Sequence, residues 1–278
     1  MNTVPLSLRI VVPALLAFGS LPAMAGFSFP DFSDVSALQL NSAAAQVGNV
    51  LRVTPAIGGQ SGSVFTTAST PLGGLNSFST YFQFQITNNG GITDEDGVGA
   101  DGLAFVAQTV NNTAGGAGGG IGYAGINNSV GIEFDTYNNG TGAGDPNGNH
   151  VGIDINGSLV SIATATEPTR FNNGAVWNAW VDYDGTTNNL EVRWSPLAVR
   201  PAVSQLSANV DLQAVLGQNN AFLGFTSGTG AAYGNHDILN WQYRDSFSPI
   251  DPVVPEPSSV LFAFGIVGVA LRQRPKRS

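Results

Sequence analysis

The stretch from Gly131 to Gly157 constrains this chain more than any other part of it. Val130, Ile132 and Phe134 alternate with other residues, then a loop of Asn and Gly intervenes, then Val151, Ile153 and Ile155 alternate again. A period of two means two strands. Glu133 and Asp135 therefore leave the same face of the first strand, Asn139 and Asp145 lie in the loop, and His150 opens the second strand. Two carboxylates about 4 Å apart repel by roughly 4 kcal/mol at an effective dielectric near 20. A cluster of this kind calls for cations. Oxygen ligands suit calcium, and a site that adds an imidazole suits a transition ion such as manganese. The competing reading is an Asn/Gly-rich surface turn with scattered acids, which requires five ligand-type residues to coincide.

The spacing resembles the metal loop of the legume-type (L-type) lectins. That resemblance implies a manganese held by Glu133, Asp135, Asp145 and His150, with Ser161 approaching it through water. It implies a neighbouring calcium held by Asp135, Asp145, Asn139 and the backbone carbonyl of Tyr137. Other blocks follow the family's order. FSDVSALQLNSAAA (32–45) and VLRVTPA (50–56) look like its first two strands, and NSFSTYFQFQIT (76–87) like the next. GADGLAFVAQ (99–108) is similar to the segment carrying the sugar-binding Asp, here Asp101, which the family places after a cis peptide. By the same resemblance Gly119 and Gly120 offer a backbone N–H to a sugar, Asn139 donates its amide, and Tyr137 stacks on the ring. Ala232 and Tyr233 belong to the loop at 229–235 that sets specificity. The fold so implied is all-β, an antiparallel concanavalin A-like sandwich, or jelly roll.

Composition agrees independently of the resemblance. Gly supplies 36 of 278 residues, and alternating segments are separated by Gly/Asn turns, as in an antiparallel sandwich. Residues 209–217 read as one short helical turn. Trp177, Trp180, Trp194 and Trp241 fall in alternating strands and read as packing residues, His236-Asp237 as framework, and Asp94-Glu95-Asp96 as a solvated turn. No Cys is present, so the domain relies on its core and on metal. The formal net charge is −9, and half of the 10 basic residues lie near the ends. A body that acidic repels phosphate, which excludes nucleic acid as a partner. Homo-oligomerisation through sheet edges leaves no mark in a sequence.

The ends read as processing segments. Residues 1–25 look like a secretory signal: Arg9, the apolar run 10–18, then Ala23-Met24-Ala25. The sandwich is expected over 26–247 and a Pro-rich linker over 248–257. Pro255-Glu256-Pro257, a short hydrophobic helix and a basic end over 258–278 resemble the PEP-CTERM sorting signal, handled by an exosortase. Twelve apolar residues, 260–271, are fewer than the roughly 17–25 that span a bilayer comfortably. The expected protein is an exported lectin, transiently anchored in the inner membrane, then delivered to the cell surface or matrix. Its partners would be glycans. A glycoside hydrolase on the same sandwich would need a further Glu where Tyr137 stands, so no enzyme is expected. A structural matrix protein with a decayed site is the remaining alternative, against which the full ligand set argues.

Overall fold

The computed structural model describes residues 26–252. In chain order its strands begin with β1 (Gly26–Phe29), β2 (Leu38–Ser42), β3 (Ala45–Val47), β4 (Val50–Thr54), β5 (Ser61–Thr66), β6 (Thr70–Pro71), β7 (Phe78–Gly91) and β8 (Gly102–Gln108). They continue with β9 (Ser129–Asp135), β10 (His150–Ile155), β11 (Ala163–Thr166), β12 (Val176–Asp184), β13 (Asn189–Ser195), β14 (Leu206–Asn209), β15 (Asn220–Gly228) and β16 (Ala232–Arg244). The first sheet runs β14-β13-β12-β7-β16-β4-β3, with β1 also on β16; the second runs β11-β10-β9-β8-β15-β5-β2, with β6 on β15. Every pairing is antiparallel. The expected sandwich is therefore present.

Alternation along each strand builds the core between the sheets. Phe82, Phe84 and Trp241 from the first sheet meet Phe134 and Phe225 from the second, with ring centroids 4.9–5.0 Å apart for the Phe82–Phe225, Phe84–Phe134 and Phe225–Trp241 pairs. Burying such rings contributes both area and edge-to-face geometry. Since Phe134 and Ile132 point inward, Glu133 and Asp135 point to the outer face of the second sheet. There Ala104 and Val106 pack under Ile121, Tyr123 and Ile126 of a covering loop. That loop turns the outer face into a half-buried floor, and the site is built on it.

Some boundaries differ from expectation. A short strand, β1, precedes the segment expected at 32–45, and within that segment strand begins only at Leu38, because Asp31 and Asp34 cap turns by accepting the Ser33 and Ser36 amides. The helical turn is a single helix, α1 (Leu212–Leu216), capped by Asp211 and closed by Gly217 in the left-handed region. Trp177, Trp194 and Trp241 lie in the main core, whereas Trp180 packs on the outer face of the first sheet with Tyr81 and Ile250. Contacts of the body thus continue into the segment expected to be linker. The expected signal at 1–25 and the sorting segment, Pro255, Glu256 and Pro257 included, lie outside the described residues. Among the described residues no helix is long and apolar enough to cross a membrane.

Candidate metal and sugar site

Register brings the predicted ligands together. In the β9–β10 ladder His150 stands opposite Asp135, and Gly152 opposite Glu133. Donor atoms of Asp135, Asp145 and His150 all lie within 4.8 Å of one another. Glu133 completes the group, its Oε1 3.4 Å from His150 Nε2. Gly152 is what makes room: a Cβ there would sit 2.3 Å from both Glu133 Oε1 and Ser161 Oγ. The Ser161 hydroxyl donates to Glu133 at 2.8 Å, which sets it beside the carboxylate–histidine cluster.

The imidazole is oriented for ligation. Its Nδ1 lies 3.0 Å from the carbonyl of Asn147, which can only accept, so Nδ1 carries a proton. A neutral ring then turns the Nε2 lone pair toward the carboxylates, the arrangement metal-binding histidines adopt. The carboxylates themselves are strained electrostatically. Burial first, then the charges of Glu133 and Asp145, push Asp135 well above the ordinary carboxylate range. Burial also raises Asp145, against the opposing Asn139 amide bond. Groups that resist ionising together fit a site for divalent cations: carboxylates with His for manganese, and oxygens of Asp135, Asp145, Asn139 and Tyr137 for calcium.

Asp101 stands at the edge of this cluster. It is 3% exposed, its Oδ2 makes no hydrogen bond of normal geometry, and the peptide before it is cis. Burial pushes its carboxyl up to about 7, with the Gly230 amide pulling the other way and the Asp145 charge adding to the rise. Its backbone is pinned on both sides: Asp101 N donates to Gly228 O at 3.1 Å, and Thr136 N donates to Asp101 O at 2.9 Å. Asn139 links the two parts of the site, its amide nitrogen 3.4 Å from Asp101 Oδ1 and its backbone N–H donating to Asp145 at 2.5 Å. Bare backbone walls the pocket. A Cβ on Gly119 would meet the Asn139 amide at 2.3 Å, and one on Gly230 would lie 3.4 Å from Asp101 Oδ2. Gly120 spends its N–H on the carbonyl of Ala117. Ala232 is buried, and the Tyr233 ring lies over Gly90, where a Cβ would approach it to 2.5 Å.

Two features escaped the sequence reading. Asp154 shares the face of His150 and Gly152, is fully buried, and has neither oxygen in a hydrogen bond of normal geometry. Burial and the Glu133 charge raise it well above the ordinary range. Period two from His150 was the signal for it. The second is the acidic turn. Far from being merely solvated, Asp94 accepts the Asn138 N–H at 2.8 Å, and Glu95 accepts the Asn138 side chain at 2.7 Å and the Gly148 N–H at 3.1 Å. It clasps the loop between β9 and β10 from outside. His236-Asp237 is framework as expected: Asp237 holds Arg52 bidentately at 2.8 Å.

The geometry has counterparts among known proteins. Lectin 1 of Laburnum alpinum is 34% identical over 192 residues, covering 66% of this chain and 74% of that protein. The L-type lectin-domain containing receptor kinase VIII.1 of Arabidopsis thaliana is 36% identical over 177 residues, 62% of this chain, but the match spans only 24% of the kinase. Among solved structures, winged bean acidic lectin complexed with methyl-α-D-galactose superposes with a TM-score of 0.69 at 26% identity, covering 81% of this chain and 100% of that one. The lectin from Bauhinia forficata in complex with GalNAc gives 0.66 at 26% identity, covering 80% and 98%. The legume lectin domain model matches residues 24–256. With that match spanning most of its length, the chain belongs to the legume lectin domain family, whose members bind carbohydrate.

Proposed function

We propose that this protein is an exported lectin whose sugar site depends on calcium and manganese. The observation that carries this reading is Asp101: a buried carboxylate with an unpartnered oxygen, walled by glycine backbone and joined through Asn139 to the carboxylate–histidine cluster. Buried acceptors are seldom left unmade without a function. Asp101 would accept from sugar hydroxyls, Asn139 and the Gly119 N–H would donate, and Tyr137 would stack on the ring beside them. Ala232 and Tyr233 stand at the loop that would set specificity. Manganese would sit with Glu133, Asp135, Asp145 and His150, and calcium with Asp135, Asp145, Asn139 and the Tyr137 carbonyl. The bound ions would neutralise the carboxylates and fix the loop carrying Asn139.

Replacing Asp101 with Asn keeps the shape but removes a charged acceptor, and each charge-assisted bond is worth roughly 1.5–3 kcal/mol. Binding to an array of neutral sugars that includes galactose and N-acetylgalactosamine should weaken about tenfold to hundredfold, while the variant should melt no lower than the wild type, since a buried ionised Asp101 is itself destabilising. Equal affinity in the variant would place the sugar elsewhere. The tail supports the second half of the reading. Pro255-Glu256-Pro257 before an apolar run and a basic end fits recognition by an exosortase-type enzyme, followed by release to the surface or matrix. Changing all three to Ala should leave the protein in the membrane fraction of its host. A tail-free extracellular form of that variant would show that processing ignores the motif.

A further inference from the structure

Three side chains that no metal or sugar role uses are buried together beneath the sugar loop. Thr54 on β4, Ser227 on β15 and His236 on β16 are each 0% exposed. Thr54 Oγ1 lies 2.7 Å from Ser227 Oγ and 2.9 Å from His236 Nδ1, and the Ser227 hydroxyl lies 2.8 Å from the Gly102 carbonyl, to which it donates. The chain of contacts therefore crosses from the first sheet to the second and ends one residue from Asp101. It also touches both stems of the loop between β15 and β16, since Ser227 is the next-to-last residue of one strand and His236 lies in the first half of the other.

The direction of the chain follows from counting protons. A carbonyl only accepts, so Ser227 gives its single hydroxyl proton to Gly102. Ser227 Oγ must then accept from Thr54, which has no other proton to give. Thr54 in turn accepts from His236, which fixes the proton of the neutral ring on Nδ1 and leaves Nε2 bare. Nε2 makes no hydrogen bond of normal geometry, so no well-placed acceptor there competes for the proton. Burial keeps the ring neutral, pushing His236 down to about 3. The segment after Thr54 continues the grip: Ala56 N donates to Asn235, Thr229 Oγ1 donates to the Ile57 carbonyl, and Gly59 N donates to Gly230.

We propose that Thr54 is a positioning residue for the sugar site, the centre of a one-way relay from His236 through Ser227 to Gly102. The relay holds the Asp101–Gly102 turn and both stems of the 229–231 loop in the geometry that a ligand meets. Its effect on affinity rests on the sugar-binding reading; its existence does not. Metal ligation is left alone, because none of the three residues touches the carboxylate cluster among the described contacts.

Thr54→Val preserves shape and removes the hydroxyl, stranding the His236 donor and the Ser227 acceptor. At saturating calcium and manganese, binding on the neutral-sugar array should weaken about tenfold, while metal affinity by titration stays within about twofold. Thr54→Ser restores the hydroxyl and should restore binding. The wild-type protein offers a second reading: its imidazole ¹H–¹⁵N correlations should show His236 as the neutral Nδ1–H tautomer from about pH 5 to pH 8. An Nε2–H tautomer, or wild-type affinity in Thr54→Val, overturns the proposal. Should the wild type bind no sugar at all, the sugar reading fails. The relay then stands or falls on the tautomer and on whether the Asp101, Gly102 and Gly230 amide resonances shift in Thr54→Val.

Discussion

Chelation should lower the melting temperature most at about pH 8 and least near pH 5.5, because acid acts in opposite senses on the two forms. In the metal-free protein, burial and mutual repulsion raise Asp101 to about 7 and lift Asp135, Asp145 and Asp154 above the ordinary carboxylate range. A carboxyl with a raised folded value contributes stability that is fully present below its unfolded value and is lost as pH rises through the folded one. Each tenfold change in proton affinity is worth about 1.4 kcal/mol, so ionising Asp101 alone costs on the order of 4 kcal/mol at high pH. Buried neutral His236 opposes this below about pH 6.5, by roughly 1.4 kcal/mol at pH 5.5, but it does so in both forms. The several raised carboxyls outweigh it, so the metal-free protein should become more stable on going from about pH 8 to pH 5.5. The exposed carboxyls whose values fall, Asp31, Asp34, Glu95 and Asp184, titrate below that window and do not disturb it.

The loaded protein should move the other way. Its ligands bind only when deprotonated, so acid releases the ions and removes their contribution, which is about 2.7 kcal/mol for one site at free metal a hundredfold above Kd. Scanning calorimetry with and without exhaustive chelation across this range would display two curves converging toward acid pH. Parallel curves would mean that Asp135, Asp145 and His150 are not where the metal binds.

How much of this was legible in the sequence depended on the distance over which residues meet. The carboxylate–histidine cluster could be read because its members are local: Glu133 to His150 lie on two strands joined by one loop, and period two fixes their faces. Asp154 could have been found by the same count, two steps beyond His150. The sandwich was legible from alternation, since a residue such as Phe84 or Phe134 has a side dictated by its neighbours. The strand expected from residue 32 was overextended because Asp31 and Asp34 spend their carboxylates on local turns, a competition that hydrophobic pattern does not report. The clasp by Asp94 joins residues 44 apart, and the Thr54–His236 bond residues 182 apart. Nothing in either segment specifies its partner, because such pairs are set by how whole strands dock.

Ending the chain after Phe247 should cost about 2–4 kcal/mol of folding stability, whereas ending it after Pro252 should cost little. Ile250 is 1% exposed and packs with Tyr81 and Trp180, whose rings lie 5.2 Å apart on the outer face of the first sheet. Burying an Ile side chain is worth about 1.5–3 kcal/mol by area, and the hydrogen bonds around it add to that. Trp180 Nε1 donates to the Ile250 carbonyl at 2.8 Å, Ser248 N donates to Ser79 at 3.0 Å, and Arg244 donates to the Ser248 carbonyl at 3.0 Å. The Trp180 bond forms only if Pro249 and Ile250 lie down on the sheet, so the segment acts as a strap and not as the start of a free spacer. Urea unfolding of the two truncations, with Ile250→Ala in the full chain as a third, measures its worth. Identical midpoints for all three and the wild type would mean the strap contributes nothing. Because Glu133 and Asp135 occupy the outer face of the other sheet, the strap lies on the side of the sandwich opposite the carboxylate cluster.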